Sequence, residues 1–199
     1  MDAFGLGITG GIACGKSEVK KILVSWGWTV LDTDEIAHAL MAPDQENWKN
    51  IIDVFGKEIL NSDQTINRSA LGERVFGNPL LREKLNQITH PLIYQVWRSE
   101  QKRFQEQSKS QDFAVVIPLL FEKEWESSFQ KVMAVGCSEQ TYQKRLISRG
   151  LTLSQIDERI KSQLPLNEKM NKSDVVIWNE GTLQILESQL RQWTRSDSR

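Results

Sequence analysis

Residues 10–17 read Gly-Gly-Ile-Ala-Cys-Gly-Lys-Ser and match the pattern G-x-x-x-x-G-K-[ST]. In such a loop, successive backbone N–H groups point inward at phosphate oxygens, and glycine supplies the backbone freedom that this curvature needs. Lys16 is expected to reach the β- and γ-phosphates of a nucleotide, and the Ser17 hydroxyl to ligate Mg²⁺. The N-terminus of the helix that follows adds a further attraction for anions. The stretch therefore predicts a site for a nucleoside triphosphate with magnesium.

The sequence on both sides supplies the strand–loop–helix context that this motif requires. A short apolar run covers residues 3–9, a helical pattern covers residues 16–26, and a second apolar run covers residues 28–31. Further predicted strands lie at residues 113–117, 132–135 and 175–178. Strands that alternate with helices indicate an α/β fold with a parallel sheet and flanking helices.

The second half of the chain carries start signals for helices. Ser138 is a good N-cap for a helix that runs through Arg149. Thr152 with Gln155 resembles a capping box for another helix, and residues 181–193 form a closing amphipathic helix.

Residues 43–111 predict a helical insertion after the second strand, with apolar residues at helical spacing. The residues with this spacing are Trp48, Ile51, Ile52 and Phe55, followed by Leu71, Val75 and Phe76. Pro79 and Pro91 interrupt the pattern, and each is expected near a helix start because proline favours the first helical position.

Composition limits the class of protein. The 199 residues are 39% hydrophobic and 26% charged, which excludes a disordered or collagen-like chain. The net charge of −1 gives no support to a nucleic-acid partner, although a basic pocket for a small phosphorylated ligand needs only a few residues. The longest wholly apolar run, residues 114–121, is too short to cross a bilayer, so no membrane association is expected. The oligomeric state is left open.

The two cysteines and the first residues indicate the compartment. Cys14 and Cys137 are too few for a disulfide framework. Two reduced thiols in a cytosolic protein are the favoured interpretation, and one disulfide between them is the alternative. The first residues lack the basic segment of a signal peptide, so a cytoplasmic location is expected.

Residues 5–10 also match G-x-G-x-x-G, the dinucleotide-binding pattern, and Asp32 stands where a ribose-binding acid would lie. Only four residues precede this match, which is short for a strand. The helix after it would contain Gly10, Gly11 and Gly15, each at a cost of ~1 kcal/mol relative to alanine. The dinucleotide interpretation is therefore rejected.

A GTP-binding module is a further alternative, because residues 53–56 match D-x-x-G and residues 171–174 match N-K-x-D. Both motifs would have to follow strands. Asp53 instead falls within a helical pattern, and Asn171 precedes a predicted strand. Both matches are interpreted as accidental.

Asp32 and Asp34 stand at the end of the second predicted strand, where ligands of open α/β sheets bind. A carboxylate there can accept a hydroxyl proton or hold Mg²⁺ through water. The alternative is that Asp32 or Asp34 only caps the next helix, which Thr33 could also do. The chain is expected to turn into a helix at residues 33–35, which favours Asp34 as the catalytic acid and leaves Asp32 nearer the metal.

Arg145 and Arg149 are four residues apart on one predicted helix face, next to Lys144. Such a face is able to stabilise the charge of a transferring phosphoryl group. The alternative is an ordinary solvated helix face.

The order of several motifs resembles that of the dephospho-coenzyme A kinases over essentially the whole chain. Besides the phosphate loop, these motifs are Leu-Asp-Thr-Asp at 31–34, Ile-Asn-Arg at 66–68, Leu71 with the Val75-Phe76 pair, His-Pro-Leu-Ile at 90–93, Pro-Leu-Leu-Phe-Glu at 118–122, Gln-Lys-Arg-Leu at 143–146 and Asp-Val-Val-Ile-Trp-Asn at 174–179. The loop alone is not specific, whereas the ordered set is.

The resemblance implies a P-loop NTPase fold with three parts. These are a nucleotide-binding core at residues 1–42 and 112–199, a helical acceptor-binding insertion at 43–111, and a small helical lid at about 139–168. The implied reaction moves the γ-phosphoryl group of ATP, with Mg²⁺, to the ribose 3′-hydroxyl of dephospho-CoA, the last step of CoA synthesis. Another small-molecule P-loop kinase is the nearest alternative.

The resemblance also implies roles for individual residues. Asp34, Lys16 and Arg145 are the implied catalytic residues. The implied ATP-binding residues are Gly11, Ile12, Ala13, Cys14, Gly15, Lys16, Ser17, Glu18, Arg145 and Asn179. The implied acceptor-binding residues are Asp34, Arg68, His90, Pro118, Leu119 and Glu122. For His90, a helix-start or core position is the alternative.

The sequence departs from the family pattern at a few positions. Ala13 and Cys14 replace the usual inner Gly-Ser of the loop, and Glu18 follows Ser17 where threonine is common. Gln64 stands where a turn glycine is common, and Ser173 where alanine is common. None of these changes removes a chemical group that the reaction needs.

Overall fold

The phosphate-binding motif leaves the carboxyl end of a strand in a five-stranded sheet. The computed structural model describes residues 4–75, 78–107 and 112–197. The strands are β1 (Leu6–Gly10), β2 (Thr29–Asp32), β3 (Phe113–Val116), β4 (Lys131–Gly136) and β5 (Val175–Trp178). Their order is β2-β3-β1-β4-β5, and β1 pairs in parallel with both β3 and β4. This confirms the predicted parallel α/β architecture.

The buried centre of the sheet explains the sequence pattern of its strands. All residues of β1 and β3 are buried, whereas the edge strands β2 and β5 are partly exposed. Parallel strands covered on both faces are apolar without alternation. This agrees with the short apolar runs that predicted them, the first of which is interrupted by glycines.

The helices connect these strands and form most of the segment between β2 and β3. Their bounds are α1 (Lys16–Ser25), α2 (Thr33–Leu40), α3 (Glu46–Phe55), α4 (Arg68–Val75), α5 (Pro79–Gln107), α6 (Glu139–Ser148), α7 (Leu153–Lys161), α8 (Leu166–Lys172) and α9 (Leu183–Asp197). Short 3₁₀ turns cover Lys57–Ile59 and Glu126–Ser128.

Two of the predicted caps are confirmed by hydrogen bonds. The Ser138 hydroxyl accepts from the Thr141 N–H at 3.3 Å at the start of α6. Thr152 and Gln155 form the predicted reciprocal capping box at the start of α7.

The chain divides into two compact units, Met1–Leu31 with Phe104–Arg199, and Asp32–Arg103. The first unit contains the β1–β3–β4–β5 part of the sheet, packed on α1 and α9. The second has its own apolar cluster, in which Ile51 and Phe55 are buried at the spacing that the sequence predicted. Phe76, which belongs to the predicted apolar pattern, lies outside the described residues.

The structure corrects the expectation for Pro91, which lies inside α5 and not at a helix start. Proline in a helix interior removes one backbone hydrogen bond. Pro91 and Gln87, the residue four positions earlier, are both exposed, so water is able to bond the carbonyl that the helix leaves unpaired. Pro79 does begin α5, as predicted.

The structure also contains a helix that the sequence pattern did not predict. Residues 166–172 form α8, a short helix preceded by Pro165 and without a side-chain cap. Although the sequence of α8 is polar, its Lys169 is buried and fully inaccessible to solvent.

The structure agrees with the rejection of both the dinucleotide-binding and the GTP-binding interpretations. The G-x-G-x-x-G match falls largely within β1, so it forms no loop before a helix. Asp53 is exposed on α3, and Asp174 accepts a hydrogen bond from the backbone N–H of Val132 at 2.7 Å.

Candidate active-site residues

The phosphate loop joins β1 to α1, and Gly15 forms the N-cap of that helix. Gly15 has a φ of +105°, and a β-carbon there would lie 2.1 Å from Nδ2 of Asn179. Only glycine fits both constraints. The same Asn179 amide donates to the Cys14 carbonyl at 2.9 Å. A side chain from the end of β5 therefore holds the loop at the start of α1.

Ala13 occupies the left-handed backbone region, with a φ of +55°. This is the position at which the family usually has glycine, and an L-residue in this region costs roughly 1–2 kcal/mol. Gln64, the other departure at a glycine position, has a φ of +65°. Both departures therefore keep the backbone shape that glycine would adopt, at some cost in stability.

Arg145 contacts the phosphate loop from α6. Its guanidinium donates to the Ala13 carbonyl at 3.0 Å and to the Asn179 carbonyl at 3.2 Å. Arg145, Asn179 and the loop, which are far apart in the sequence, thus meet in one place. Arg149 is exposed at the C-cap of α6.

Glu180 ties the start of α6 to the segment after β5, and sequence reasoning did not single it out. Its carboxylate accepts from the Ser138 N–H and, at 2.7 Å, from the Thr141 hydroxyl. The bonds from Ser138 and then from Thr141 lower the pKa of Glu180. Because α6 carries Arg145, Glu180 helps to fix the helix that presents the arginine.

Lys16 and Ser17 begin α1. The ammonium of Lys16 donates to the carbonyls of Gly10 and Gly11, at 3.0 and 2.8 Å. These two carbonyls hold the ammonium over the loop. Ser17 is exposed in the first turn of the helix.

Glu18 carries a carboxylate next to the predicted phosphate-binding loop. It forms an ion pair with Lys21 at 2.7 Å, and its side chain is 38% exposed. The pair at i, i+3 places the Glu18 charge along the helix surface, where Lys21 and solvent screen it.

Asp32 is the N-cap of α2, which decides between the capping alternatives. Its Oδ1 accepts from the backbone N–H of Asp34 at 3.0 Å. The cap is therefore Asp32, and neither Thr33 nor Asp34. Asp34 is exposed in the first turn of α2, where a negative charge is favoured by the helix dipole.

Arg68 and His90 lie on helices of the second unit. Arg68 is the first residue of α4 and is exposed, and the Asn67 side chain caps that helix by accepting from Ala70 at 3.0 Å. His90 lies within α5 and is half-buried.

Residues 118–122 are held by Lys169 of α8. The buried ammonium donates to the Pro118 carbonyl at 2.6 Å and pairs with Oε1 of Glu122 at 2.8 Å. The same Oε1 accepts from the Leu164 N–H at 2.8 Å. Leu119 is half-buried in this turn. Sequence reasoning missed Lys169, because a lysine in a polar stretch gives no sign of burial.

The residues present fit a nucleoside triphosphate and its metal. The loop has left-handed positions at Ala13 and Gly15, and a helix N-terminus follows it, as an anion cradle requires. Ser17 offers a hydroxyl, and P-loop sites complete the Mg²⁺ shell with phosphates and water, so no protein cluster of ligands is required. Within the described part of the chain, no group of three or more His, Cys, Asp or Glu side chains forms a metal site.

A parallel sheet with this loop at the end of its central strand and a lysine and serine at the helix start defines the class of P-loop kinases and related NTPases. Comparison with known proteins narrows the class. The dephospho-CoA kinase family model matches residues 4–184. The chain belongs to the dephospho-CoA kinase family.

Individual relatives agree with this assignment. A protein of Lactobacillus acidophilus named dephospho-CoA kinase is 43% identical over 193 residues, which cover 94% of each chain. The crystal structure of TT1252 from Thermus thermophilus has a TM-score of 0.78 and 29% identity, with 98% of each chain covered. The dephospho-CoA kinase from Campylobacter jejuni has a TM-score of 0.67 and 28% identity, with 96% of each chain covered.

Throughout residues 4–75, 78–107 and 112–197, no helix is both long enough and apolar enough to cross a bilayer.

Proposed function

We propose that this protein transfers the γ-phosphoryl group of ATP to the ribose 3′-hydroxyl of dephospho-CoA and releases CoA and ADP. The observation that carries the proposal is the phosphate loop bonded to Arg145 and Asn179, in a chain that belongs to the dephospho-CoA kinase family along almost its whole length. The reaction makes this protein the enzyme of the last step of CoA synthesis, and we place it in the cytoplasm.

On the ATP side, the proposed contacts come from the loop and from two distant side chains. The N–H groups of residues 11–18 surround the phosphates, and Lys16 moves from the loop carbonyls to the β- and γ-phosphate oxygens. Ser17 supplies a hydroxyl to Mg²⁺, which neutralises phosphate charge when bound. Asn179 and Arg145, which are both hydrogen-bonded to the loop, are proposed as further nucleotide contacts.

On the acceptor side, Asp34 is the proposed general base. The acceptor hydroxyl oxygen forms the new bond to the γ-phosphorus while the bond to the ADP oxygen breaks, and the hydroxyl proton passes to the Asp34 carboxylate. Asp32 has a secondary role, through water, at the metal. Asp32 is engaged as the N-cap of α2, whereas Asp34 lies exposed in the first turn of that helix.

The remaining acceptor contacts are proposed for Arg68, His90, Pro118, Leu119 and Glu122. The guanidinium of Arg68 is suited to a phosphate of the acceptor, because arginine binds phosphate through two parallel hydrogen bonds. Glu122 has one oxygen engaged by Lys169, while its Oε2 is buried with no hydrogen-bond partner among the described residues. The acceptor insertion at 43–111 and the lid at about 139–168 belong to the same proposal.

Arg145 is proposed to stabilise the charge of the transferring phosphoryl group, and Arg149 offers a matched control on the same helix. We expect Arg145→Ala to lower kcat/KM for ATP by roughly tenfold to a hundredfold, because the loop loses a charged donor that stabilises the transferring phosphoryl group. Arg149→Ala is expected to lower it by less than about threefold. If thermal stability fell as much as turnover in Arg145→Ala, the arginine would be structural.

The function is tested by incubating the purified protein with ATP, Mg²⁺ and a panel of hydroxyl acceptors. We expect ADP release that depends on dephospho-CoA, with CoA as the product identified by mass spectrometry. Turnover of shikimate, a nucleoside monophosphate or another acceptor in place of dephospho-CoA would identify a different small-molecule kinase. Hydrolysis of GTP without an acceptor would identify a GTP-binding module.

A further inference from the structure

We propose that Cys14 and Cys137 form a modification site, in which hydrogen peroxide oxidises the two thiols to a disulfide that impairs the phosphate loop. The effect on the loop rests on the proposed function, since it is read out as ATP binding and phosphoryl transfer. The formation of the disulfide does not.

Two strand ends hold the sulfur atoms together. Cys14 lies in the loop after β1, and Cys137 directly follows β4. Their Sγ atoms are 3.0 Å apart, and both residues are buried. Because β1 and β4 are paired through Gly10 and Val135, the strand ends that carry the thiols keep a fixed separation. A disulfide requires a sulfur–sulfur distance of about 2.05 Å, so the thiols need to approach by only about 1 Å.

The surroundings of the two thiols assign them different roles. The hydrogen bond from the Cys137 thiol lowers the pKa of Cys14, and the charges of Lys16 and Arg145 act in the same direction against the opposing effect of burial. The pKa of Cys137 is raised, first by its bond to Cys14 and then by burial. Since the thiolate is the nucleophile, Cys14 is the thiol that attacks and Cys137 the thiol that resolves.

The chemistry needs one molecule of peroxide. The Cys14 thiolate attacks a peroxide oxygen, the O–O bond breaks, and Cys14 becomes a sulfenic acid. The other oxygen leaves as hydroxide and takes up the proton lost from the Cys14 thiol to form water. The Cys137 sulfur then attacks the Cys14 sulfur, the S–O bond breaks, and the hydroxyl group leaves as water with the Cys137 proton. In sum, two thiols lose two electrons and two protons, and peroxide is reduced to two molecules of water. Both thiols are buried, so the site requires an oxidant as small as peroxide.

The position of the Cys14 sulfur explains why its movement would affect the loop. A β-carbon on Gly11 would lie 2.6 Å from the Cys14 Sγ, so the sulfur packs directly against the Gly11 backbone. The Cys14 carbonyl is held at the same time by Asn179. Movement of the sulfur towards Cys137 changes its packing on the Gly11 backbone, and we expect the loop to shift with it relative to Asn179. Binding groups must be placed within about 0.5 Å of their productive positions.

The site is tested on the full-length protein treated with hydrogen peroxide and digested with trypsin under non-reducing conditions. Cleavage after Lys16, Lys131 and Lys144 releases peptides 1–16 and 132–144, each with one cysteine. We expect these peptides to be linked, with the loss of two hydrogens, and to separate with dithiothreitol. Absence of the linked pair from peroxide-treated protein whose circular dichroism shows that it is folded would overturn the proposal.

The effect on the loop is measured as ATP affinity by calorimetry and as turnover. We expect oxidation to lower both by at least tenfold, and dithiothreitol to restore them. Cys137→Ser keeps the loop cysteine and is expected to match the reduced protein in activity. After the same peroxide treatment it forms no disulfide, so we expect it to lose less activity than the original protein, its loss measuring the Cys14 sulfenic acid alone. Linked peptides with unchanged affinity and turnover, or equal inactivation of Cys137→Ser, would overturn the switch. Reduced protein that binds ATP but does not phosphorylate dephospho-CoA would instead contradict the proposed function.

Discussion

The phosphate loop and the candidates on α2 and α4 are positioned in opposite ways. Ala13 and Cys14 of the loop accept hydrogen bonds from side chains that are 132 and 165 residues away along the chain. Asp34 and Arg68 instead lie exposed in the first turns of helices that are capped locally by Asp32 and Asn67.

The difference indicates what each region has to do. Phosphate is bound by backbone N–H groups, whose directions depend on the whole loop, so the loop needs partners that hold its shape. A base or an arginine acts through one side-chain group, and a capped helix start is sufficient to present it. Substitutions should therefore disturb the two regions differently.

The largest effect is expected in the loop itself. Lys16→Ala should lower kcat/KM by at least about 10³-fold, because one ammonium supplies charge to two phosphates in the transition state. Steady-state kinetics measures the loss, and circular dichroism checks that the variant is folded. Lys21→Ala, on the exposed side of the same helix, is the control and should stay within about twofold. Full turnover of folded Lys16→Ala would show that the loop does not bind the transferred phosphate.

The next effect separates the two carboxylates near the end of β2. Asp34→Asn should lower kcat by ~10²–10⁴-fold, which is about 3–5 kcal/mol of barrier, because the amide cannot accept the hydroxyl proton. Asp32→Asn is the matched variant, since asparagine is an equally good N-cap and α2 is preserved. We expect a smaller loss for Asp32→Asn in parallel measurements of kcat. A larger loss of kcat in Asp32→Asn than in Asp34→Asn, or a loss of less than tenfold in Asp34→Asn, would show that Asp34 is not the base.

A comparable effect, on stability, is expected for the buried ion pair of the first unit. Lys169→Met should lower the free energy of unfolding by about 3–5 kcal/mol, because Glu122 is left without its cation. Urea denaturation measures the change, and adding Glu122→Gln should restore part of it. Lys172→Met is the control, since Lys172 is exposed and only lies over the Phe121 ring. A change below about 1 kcal/mol for Lys169→Met would show that the pair does not hold residues 118–122.

The smallest effect is expected at Ala13 and Gln64, two of the described non-glycine residues with a left-handed backbone. Ala13→Gly and Gln64→Gly should each raise the free energy of unfolding by up to about 1 kcal/mol, since relief of backbone strain exceeds the added entropy of the unfolded chain. Asp44→Gly is the control: its φ is +67°, but aspartate tolerates this region, so no gain is expected. Thermal unfolding measures all three. Destabilisation by both of the first two substitutions would show that neither backbone is strained.

Much of the fold could be predicted because its signals are local. The loop spacing, the apolar runs of the strands and the Thr152–Gln155 capping box each depend on residues within one turn or one strand. Pro91 and α8 were missed for the opposite reason. Proline is tolerated inside α5 where the helix faces solvent, and α8 is too short and polar for a periodic pattern.

For the candidate site, the sequence by itself determined which chemical groups are present: a phosphate loop, a lysine and a serine at a helix start, and two acids after a strand. The resemblance of the ordered motifs added the reaction that these groups would serve. Only the tertiary structure decided their contacts. These are the packing of Asn179 on Gly15, the hydrogen bond from Arg145 to the Ala13 carbonyl, the ion pair of Lys169 with Glu122, and the contact between the Cys137 and Cys14 sulfurs. The physical reason is that helix and strand signals arise from neighbours along the chain, whereas these contacts form when parallel strands bring distant segments to one edge of the sheet.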